Sequence, residues 1–386
     1  MPFLLKDWFC LKPGRENFKP HNQKDRGLLL CHTALISENI LTSLERRFAG
    51  SEPVKMLLYG DYGVGKTHTI HHIAWWLEQN KTGFPAFPID IQVGDISKST
   101  RFDKILKLFL DKLGLNLLIE LTHEYQRKKT GSVAQALEAA GVPSQVAAAV
   151  NRLLMATPNT APPPIAQTAF DYLRGQRLNA AAASLGFGEQ LTDSSDLFGV
   201  LLAVGEVYKE VRNERIIFIA DEAARIEAVD ADDAARSHWV NVNTKIFDDN
   251  NNTFGFIYTI SGARRNLPVA LFETQIQNRL GDNVFEIMNL GPADVEQFLK
   301  KLVEEFVDHT AVEALVTTGG ISKADYDWNA YPFTSPAREE FIEYFKRTQE
   351  KSKPRDIADK LNDVAFIAGK QGKRLIDADC LRKAQM

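Results

Sequence analysis

The sequence predicts an α/β protein: a parallel sheet covered by helices on both faces, with a long helical insertion and a helical C-terminal region. Three observations carry this. Short apolar runs alternate with stretches of helical period across residues 54–291. One of the runs, Ile216-Ile217-Phe218-Ile219-Ala220, is continuously apolar, as a strand buried on both faces should be. Residues 292–386 carry helical periodicity and no evident strand signal.

The elements follow in order. Residues 1–34 mix Pro13, Pro20 and scattered charges and read as an irregular arm. From Leu35 to Phe48, the residues Ile36, Ile40, Leu41, Leu44 and Phe48 fall at helical spacing, and Ser51-Glu52-Pro53 ends the helix. Val54 to Tyr59 is a first strand, followed by a glycine-rich turn and a helix from Lys66 to Gln79. Ala86 to Val93 is a second strand, and its Pro88, which lacks an N–H, suggests a sheet edge. Arg101 to Leu113 is amphipathic, with Phe102, Ile105, Leu106, Phe109 and Leu110 on one face. Ile216–Ala220, Thr253–Ser261 and Val284–Met288 complete five strands.

More than 100 residues separate the second strand from the third, far beyond a simple crossover. Residues 114–195 are Ala-rich and contain Pro158 and Pro162-Pro163-Pro164, so they predict a helical insertion interrupted by a stiff, extended loop. Pro292–Phe306, Ser335–Thr348 and Pro354–Ala368 are helical by pattern and suggest a lid. The expected organisation is an arm over 1–34, an α/β domain over 35–291 and a helical lid over 292–386, with no internal repeat.

Composition narrows the class. A chain of 386 residues predicts two or three packed units. With 24 Gly and 16 Pro it is neither collagen-like nor of low complexity, and 23 Phe, 9 Tyr and 5 Trp exclude wholesale disorder. A net charge of −4 excludes a chain-wide basic field of the kind that holds nucleic acid non-specifically. Cys10, Cys31 and Cys380 lie too far apart for a CxxC metal site and read as reduced thiols. No apolar run approaches the roughly 20 residues of a membrane helix. The start, Met1 to Asp7, meets a charge too early for a signal peptide, so no membrane partner and a cytoplasmic location are expected.

The chemistry is concentrated at Gly60-Asp61-Tyr62-Gly63-Val64-Gly65-Lys66-Thr67. It fits GxxxxGK followed by Ser or Thr, with an apolar strand leading in and a helix leading out. Glycines let consecutive backbone N–H groups turn toward a polyphosphate, and the helix N-terminus presents its positive dipole end to the same anion. Lys66 would reach the β and γ phosphates, Thr67 would offer its hydroxyl to Mg²⁺, and His68 follows within the nucleotide-contact set. Asp221-Glu222 ends the third strand: Asp221 suits the metal shell and Glu222 the polarisation of an attacking water.

Thr259 and Ser261 close the fourth strand, whose carboxyl end opens onto the ligand crevice of a parallel sheet. Either hydroxyl could orient the water, with Ser261 preferred. Arg279, with Arg264-Arg265 as a competing pair, could reach a neighbouring subunit's γ-phosphate. Arg355, near the start of a lid helix, could sense that phosphate from the lid.

Other features have plainer readings. His68, His71 and His72 read as packing rather than as a metal site. Trp75-Trp76 reads as core and interface. Asp230, Asp232 and Asp233 lack a full calcium-loop pattern. Arg127-Lys128-Lys129 and Lys370, Lys373, Arg374 could touch DNA phosphates, and exposed helix ends explain them equally well.

Together these residues resemble the AAA+ ATPases, and within them the initiator, origin-recognition-like type. The features are the helix 35–48, the loop Gly60–Thr67, Asp221-Glu222, the strand ending at Ser261, Arg279-Leu280-Gly281 before a strand, and Pro354-Arg355-Asp356 leading a lid helix. The resemblance implies a P-loop sheet of order 5-1-4-3-2, a helical lid, and nucleotide bound between neighbouring subunits of a ring or filament. A second resemblance rests on Tyr172-Leu173-Arg174-Gly175, Leu185-Gly186 and the helix Leu197–Val211. It is similar to ATP-binding proteins of bacterial phage-defence clusters of the BREX type. About 20 residues follow the last lid helix, fewer than the winged-helix domain that initiators usually carry.

The expected function is Mg²⁺-dependent ATP hydrolysis as a molecular switch, controlling homo-oligomer assembly and an effector protein in anti-phage defence. The alternatives are a DNA-engaging initiator, loader or transposition regulator, and a nucleotide-binding scaffold without turnover.

Overall fold

The computed structural model describes residues 4–21, 24–50, 52–80, 83–92, 102–180, 184–188, 190–221, 233–248, 252–262 and 274–386. Contacts divide the chain into one unit of residues 37–60 and 70–286, and a second of residues 1–36, 61–69 and 287–386.

The first unit is built on a sheet that has five strands among the described residues: β1 (Lys55–Gly60), β2 (Ala86–Gln92), β3 (Arg215–Asp221), β4 (Phe254–Ser261) and β5 (Val284–Glu286). All pair in parallel, in the order β2-β3-β4-β1-β5, which is the implied order 5-1-4-3-2 read from the other edge. The continuously apolar β3 is interior, and β2 with its Pro88 lies at an edge, where a missing N–H disrupts no second ladder. The fifth strand is shorter than expected. It pairs at Val284–Glu286 with Leu57–Tyr59, while Ile287 beyond it is buried and Met288 is 64% exposed.

Helices cover both the expected and the unassigned stretches. Leu35–Leu41 is wound as a wider π-helix and continues as α1 (Thr42–Ala49). Then come α2 (Lys66–Gln79) and α3 (Phe102–Leu113). The insertion supplies α4 (Leu115–Lys128), α5 (Val133–Ala139), α6 (Ser144–Arg152) and α7 (Pro164–Leu173). Residues 156–163 are non-helical, and Pro164 occupies the first helical position, where its missing N–H costs nothing. Ser132 and Gln135 form a reciprocal cap at the start of α5. The long α8 (Ser194–Arg212) buries Leu197, Leu201, Val204 and Tyr208. α9 (Asp233–Asp248) and α10 (Thr274–Leu280) follow.

The insertion shares the sheet's hydrophobic core rather than standing apart from it. Phe109 of α3 packs edge-on against Phe218 of β3 at 4.7 Å and Phe256 of β4 at 5.6 Å, and Tyr208 of α8 stacks on Phe87 of β2. Phe109→Ala should destabilise the unit by about 3–5 kcal/mol, the usual cost of emptying a fully buried Phe site. Urea unfolding followed by circular dichroism would measure it. Of the residues behind the second resemblance, Tyr172, Leu173 and Leu197 are buried, while Leu185 is exposed. Arg174 pairs with Asp111 and, at 2.9 Å, Asp171, while Gln190 Nε2 donates to the Gly175 carbonyl at 2.6 Å.

The second unit holds α11 (Pro292–Phe306), α12 (His309–Thr317), α13 (Ser335–Arg347), α14 (Pro354–Lys370) and α15 (Ala378–Lys383). Its core joins Phe298, Phe306, Phe341, Phe345 and Leu361 with Phe9, Phe18 and Leu30 of the arm. Leu11 bridges Val307, Trp8 Nε1 donates to the Lys373 carbonyl at 2.8 Å, and the Phe18 N–H donates to Asn362 Oδ1 at 2.9 Å. The C-terminal basic cluster is engaged locally: Arg374 lies 3.9 Å over the Trp8 ring, and Lys373 pairs with Asp377 at 2.7 Å. In the first unit, Lys129 pairs with Glu210 at 2.8 Å, and Lys128 donates to the Glu210 carbonyl near the end of α8.

Candidate functional site

β1 runs through Gly60 into the loop Asp61–Gly65, and α2 begins at Lys66, the strand–loop–helix order that the motif requires. The loop reverses at Gly63 (φ +87°) and Gly65 (φ +109°), where side chains are strained. A Cβ on Gly65 would lie 3.5 Å from Cys31 Sγ, an ordinary contact, so the constraint there is conformational rather than steric. Gly65→Ala should therefore lower unfolding stability by roughly 1–3 kcal/mol, the cost of a forced backbone conformation. Thermal unfolding would report it.

Lys66 is 5% exposed, and its ammonium donates back across the loop to the Asp61 carbonyl at 2.7 Å. Thr67 is half-buried in the first turn of α2. His68 is buried, and its Nε2 donates to the Leu28 carbonyl of the arm at 2.6 Å, so that side chain ties the helix start to the arm. His32 Nε2 donates to the Val64 carbonyl at 2.8 Å. Burial pushes the His32 imidazole below its ordinary range, against the opposing pull of that hydrogen bond and of Asp294.

From the start of α14, Arg355 lies 4.2 Å over the Tyr62 ring, and its N–H makes a long 3.5 Å contact to the Gly63 carbonyl. Lys353 Nζ stands 3.5 Å from Asp61 Oδ2. The lid residue picked out in the sequence is thus brought to the loop, together with a lysine to which the sequence gave no role.

In the first unit, Asp221 ends β3, is 3% exposed, and accepts a hydrogen bond from the fully buried Thr259 hydroxyl of β4. Ala220 pairs with Tyr258 and Gly60 with Ser261. Of the two hydroxyls weighed in the sequence, Thr259 therefore holds the Asp221 carboxylate, whereas the preferred Ser261 lies half-buried opposite the last residue of β1. Glu222, Arg264, Arg265, Asp230 and Asp232 lie outside the described residues.

Arg279 of α10 forms a forked ion pair with Asp248 of α9, Nε to Oδ1 at 2.5 Å and Nη2 to Oδ2 at 2.7 Å. His71 pairs with Asp90 of β2 at 3.2 Å. That hydrogen bond, with Lys112 nearby, pulls the Asp90 carboxyl down to about 2 against the effect of burial. Trp76 stacks on Phe84 at 4.9 Å and Trp75 packs on His72. Among the described residues no group of three or more His, Cys, Asp or Glu is placed to hold a metal by itself. No described helix is long and apolar enough to cross a membrane.

No protein-family profile matches the chain, and no curated protein matches it. Solved structures do. The ORC1 protein of Aeropyrum pernix in complex with DNA is 14% identical with a TM-score of 0.46, over 93% of this chain and 65% of that one. The ORC2 protein of the same organism, in ADPNP–ADP complexes, is 14% identical with a TM-score of 0.49, over 91% and 70%. Cdc6p from Pyrobaculum aerophilum is 10% identical with a TM-score of 0.48, over 98% and 70%. This chain thus spans about two thirds of the length of that ORC1 protein. Likenesses this distant carry no role across to this chain, whose α/β fold on a five-stranded parallel sheet of order 2-3-4-1-5 rests on its own strand pairings.

Proposed function

We propose that the protein is an ATP-hydrolysing switch of the AAA+ type. The observation that carries this reading is the loop Gly60–Thr67, set between β1 and α2, with left-handed glycines at 63 and 65 and a buried Lys66. The buried Asp221 at the carboxyl end of β3, held by Thr259, supports it from the sheet side.

In this reading the backbone of Gly60–Thr67 and the first turn of α2, including the N–H of His68, bind the phosphates of ATP. Lys66 neutralises the β and γ groups. The donor set fits a hard cation with oxygen ligands: Thr67 and Asp221 would hold Mg²⁺. When bound, Mg²⁺ supplies charge neutralisation on the phosphate oxygens. Glu222 accepts a proton from the attacking water, Ser261 helps to position that water, and Arg355 approaches the γ-phosphate from the lid. Arg279 serves a neighbouring copy in a ring or filament by exchanging Asp248 for phosphate. The bound state governs assembly and an effector protein.

The biological setting is a second question. Orc and Cdc6 proteins share this fold, and one is described as bound to DNA, so the DNA-engaging initiator reading is the setting to test first. Phage defence has no such counterpart among them. Phosphate release across a protein concentration series tests the main reading: turnover per chain should rise as subunits meet, and no release at any concentration would leave a scaffold. A gel shift at low salt with ATP tests DNA binding, whose affinity should fall steeply with salt if several phosphates are contacted.

A further inference from the structure

We propose that His32 is a positioning residue for phosphate binding: by holding the Val64 carbonyl on one side of the loop, it directs the Gly65 N–H to the other, toward the phosphates. This rests on the nucleotide reading above and deepens it.

The argument starts from the peptide unit. It is planar and trans, so the C=O of one residue and the N–H of the next point in opposite directions. A loop that turns its N–H groups toward an anion must turn the matching carbonyls away, and each buried carbonyl then needs a donor. Here the donors are visible. The Asp61 carbonyl accepts from Lys66 Nζ at 2.7 Å, the Gly63 carbonyl faces the Arg355 N–H at 3.5 Å, and the Val64 carbonyl accepts from His32 Nε2 at 2.8 Å. A carbonyl oxygen can only accept, so Nε2 carries the proton. Val64 is fully buried, and losing its donor would leave a polar group to find another orientation. The peptide that would turn is the one that carries the Gly65 N–H.

Two further observations place His32 as a brace rather than a chance neighbour. Its ring lies alongside Gly65: Cδ2 and Nε2 are 3.8 and 3.9 Å from where a Gly65 Cβ would stand. Its backbone is held in a left-handed conformation, φ +53°, that non-glycine residues seldom adopt. Lys301 of α11 fixes the chain on either side, donating to the Leu29 carbonyl at 3.0 Å and to Thr33 Oγ1 at 2.9 Å. The arm, through His32, thereby sets the orientation of a loop that is distant in sequence.

The test uses the full chain carrying His32→Phe, His32→Gln or Lys66→Ala, titrated with fluorescent ATP and ADP analogues. His32→Phe, which keeps a ring without the donor, should weaken both analogues about tenfold, the scale of one well-placed hydrogen bond. His32→Gln, which keeps an N–H donor, should stay within about threefold of wild type, a margin well under one such bond. The Gly65 amide proton resonance should shift downfield on adding ADP in wild type and His32→Gln but not in His32→Phe, a signature that a merely structural role would not produce. Should His32→Phe fail to fold, His32→Asn replaces it, because Asn accepts the left-handed backbone but is too short to reach Val64. Wild-type affinity in the donorless variant, with Lys66→Ala binding lost, overturns the proposal. A folded His32→Gln as weak as His32→Phe overturns it too. Wild-type affinity in Lys66→Ala would instead remove the nucleotide reading itself.

Discussion

Lys66→Ala is expected to abolish saturable nucleotide binding, a loss on the order of 100-fold or more in affinity. The ammonium is buried and already folded across the loop onto the Asp61 carbonyl, so little side-chain entropy is left to lose when it meets a phosphate. In that low-exposure setting the charge-assisted hydrogen bonds to the β and γ oxygens are strong ones. A fluorescent ATP analogue should show no saturation up to millimolar protein–ligand mixtures, while the far-UV spectrum stays that of the wild type. Lys66→Ala protein that binds the analogue normally would mean that the loop is not the phosphate site.

Glu222→Gln is expected to separate binding from turnover. Removing a general base that activates water typically costs about 10²–10⁴ in rate. The amide keeps the shape of the carboxylate and cannot take the proton, so ATP should still bind with near wild-type affinity and the assembled, ATP-bound state should accumulate. Phosphate release measured beside analogue binding on the same preparation checks both halves. Turnover equal to wild type would dismiss Glu222 as the base. The preceding Asp221 is held by the buried Thr259, so the strand that leads into Glu222 is anchored one residue before it.

The sheet was the most legible part of the chain. A strand buried on both faces must be apolar at every position, and Ile216–Ala220 is; an edge strand tolerates proline, and Pro88 sits at an edge. The fifth strand was overrun because Ile287-Met288 continues the apolar pattern after its pairing with β1 has ended. The insertion was legible as helix, since helical period is local. That its helices share the sheet's core was not, because Leu118, Leu121 and Tyr125 of the insertion join Phe218 and Phe256 of the sheet in one cluster while lying far from them in sequence.

Within the candidate site, the loop was legible from its glycines and lysine alone. That Thr259 rather than Ser261 bonds Asp221 was not. Both hydroxyls lie two residues apart on one strand, and only the register that sets Ala220 against Tyr258 brings Thr259 to Asp221. Arg279 carried no sign of its partner, because Asp248 lies on a different helix. His32 offered no signal at all. A single histidine in a segment of mixed composition has neither period nor spacing, and its role exists only once Val64 is placed beside it.

The arm's anchorage also orders events at the ribosome. Phe9, Phe18 and Leu30 are translated well before the residues that bury them, from Phe298 to Leu361, which follow some 300 residues later. Until then the Phe9 and Phe18 rings, which meet each other edge to face, lack the rest of the core that buries them and are open to non-native contacts. The sheet's own strands, by contrast, are complete once Glu286 has left the exit tunnel, so the α/β core can form during synthesis. Closure of the helical core, with its very distant pairings, must wait until Leu361 has emerged and should be a slow step of maturation.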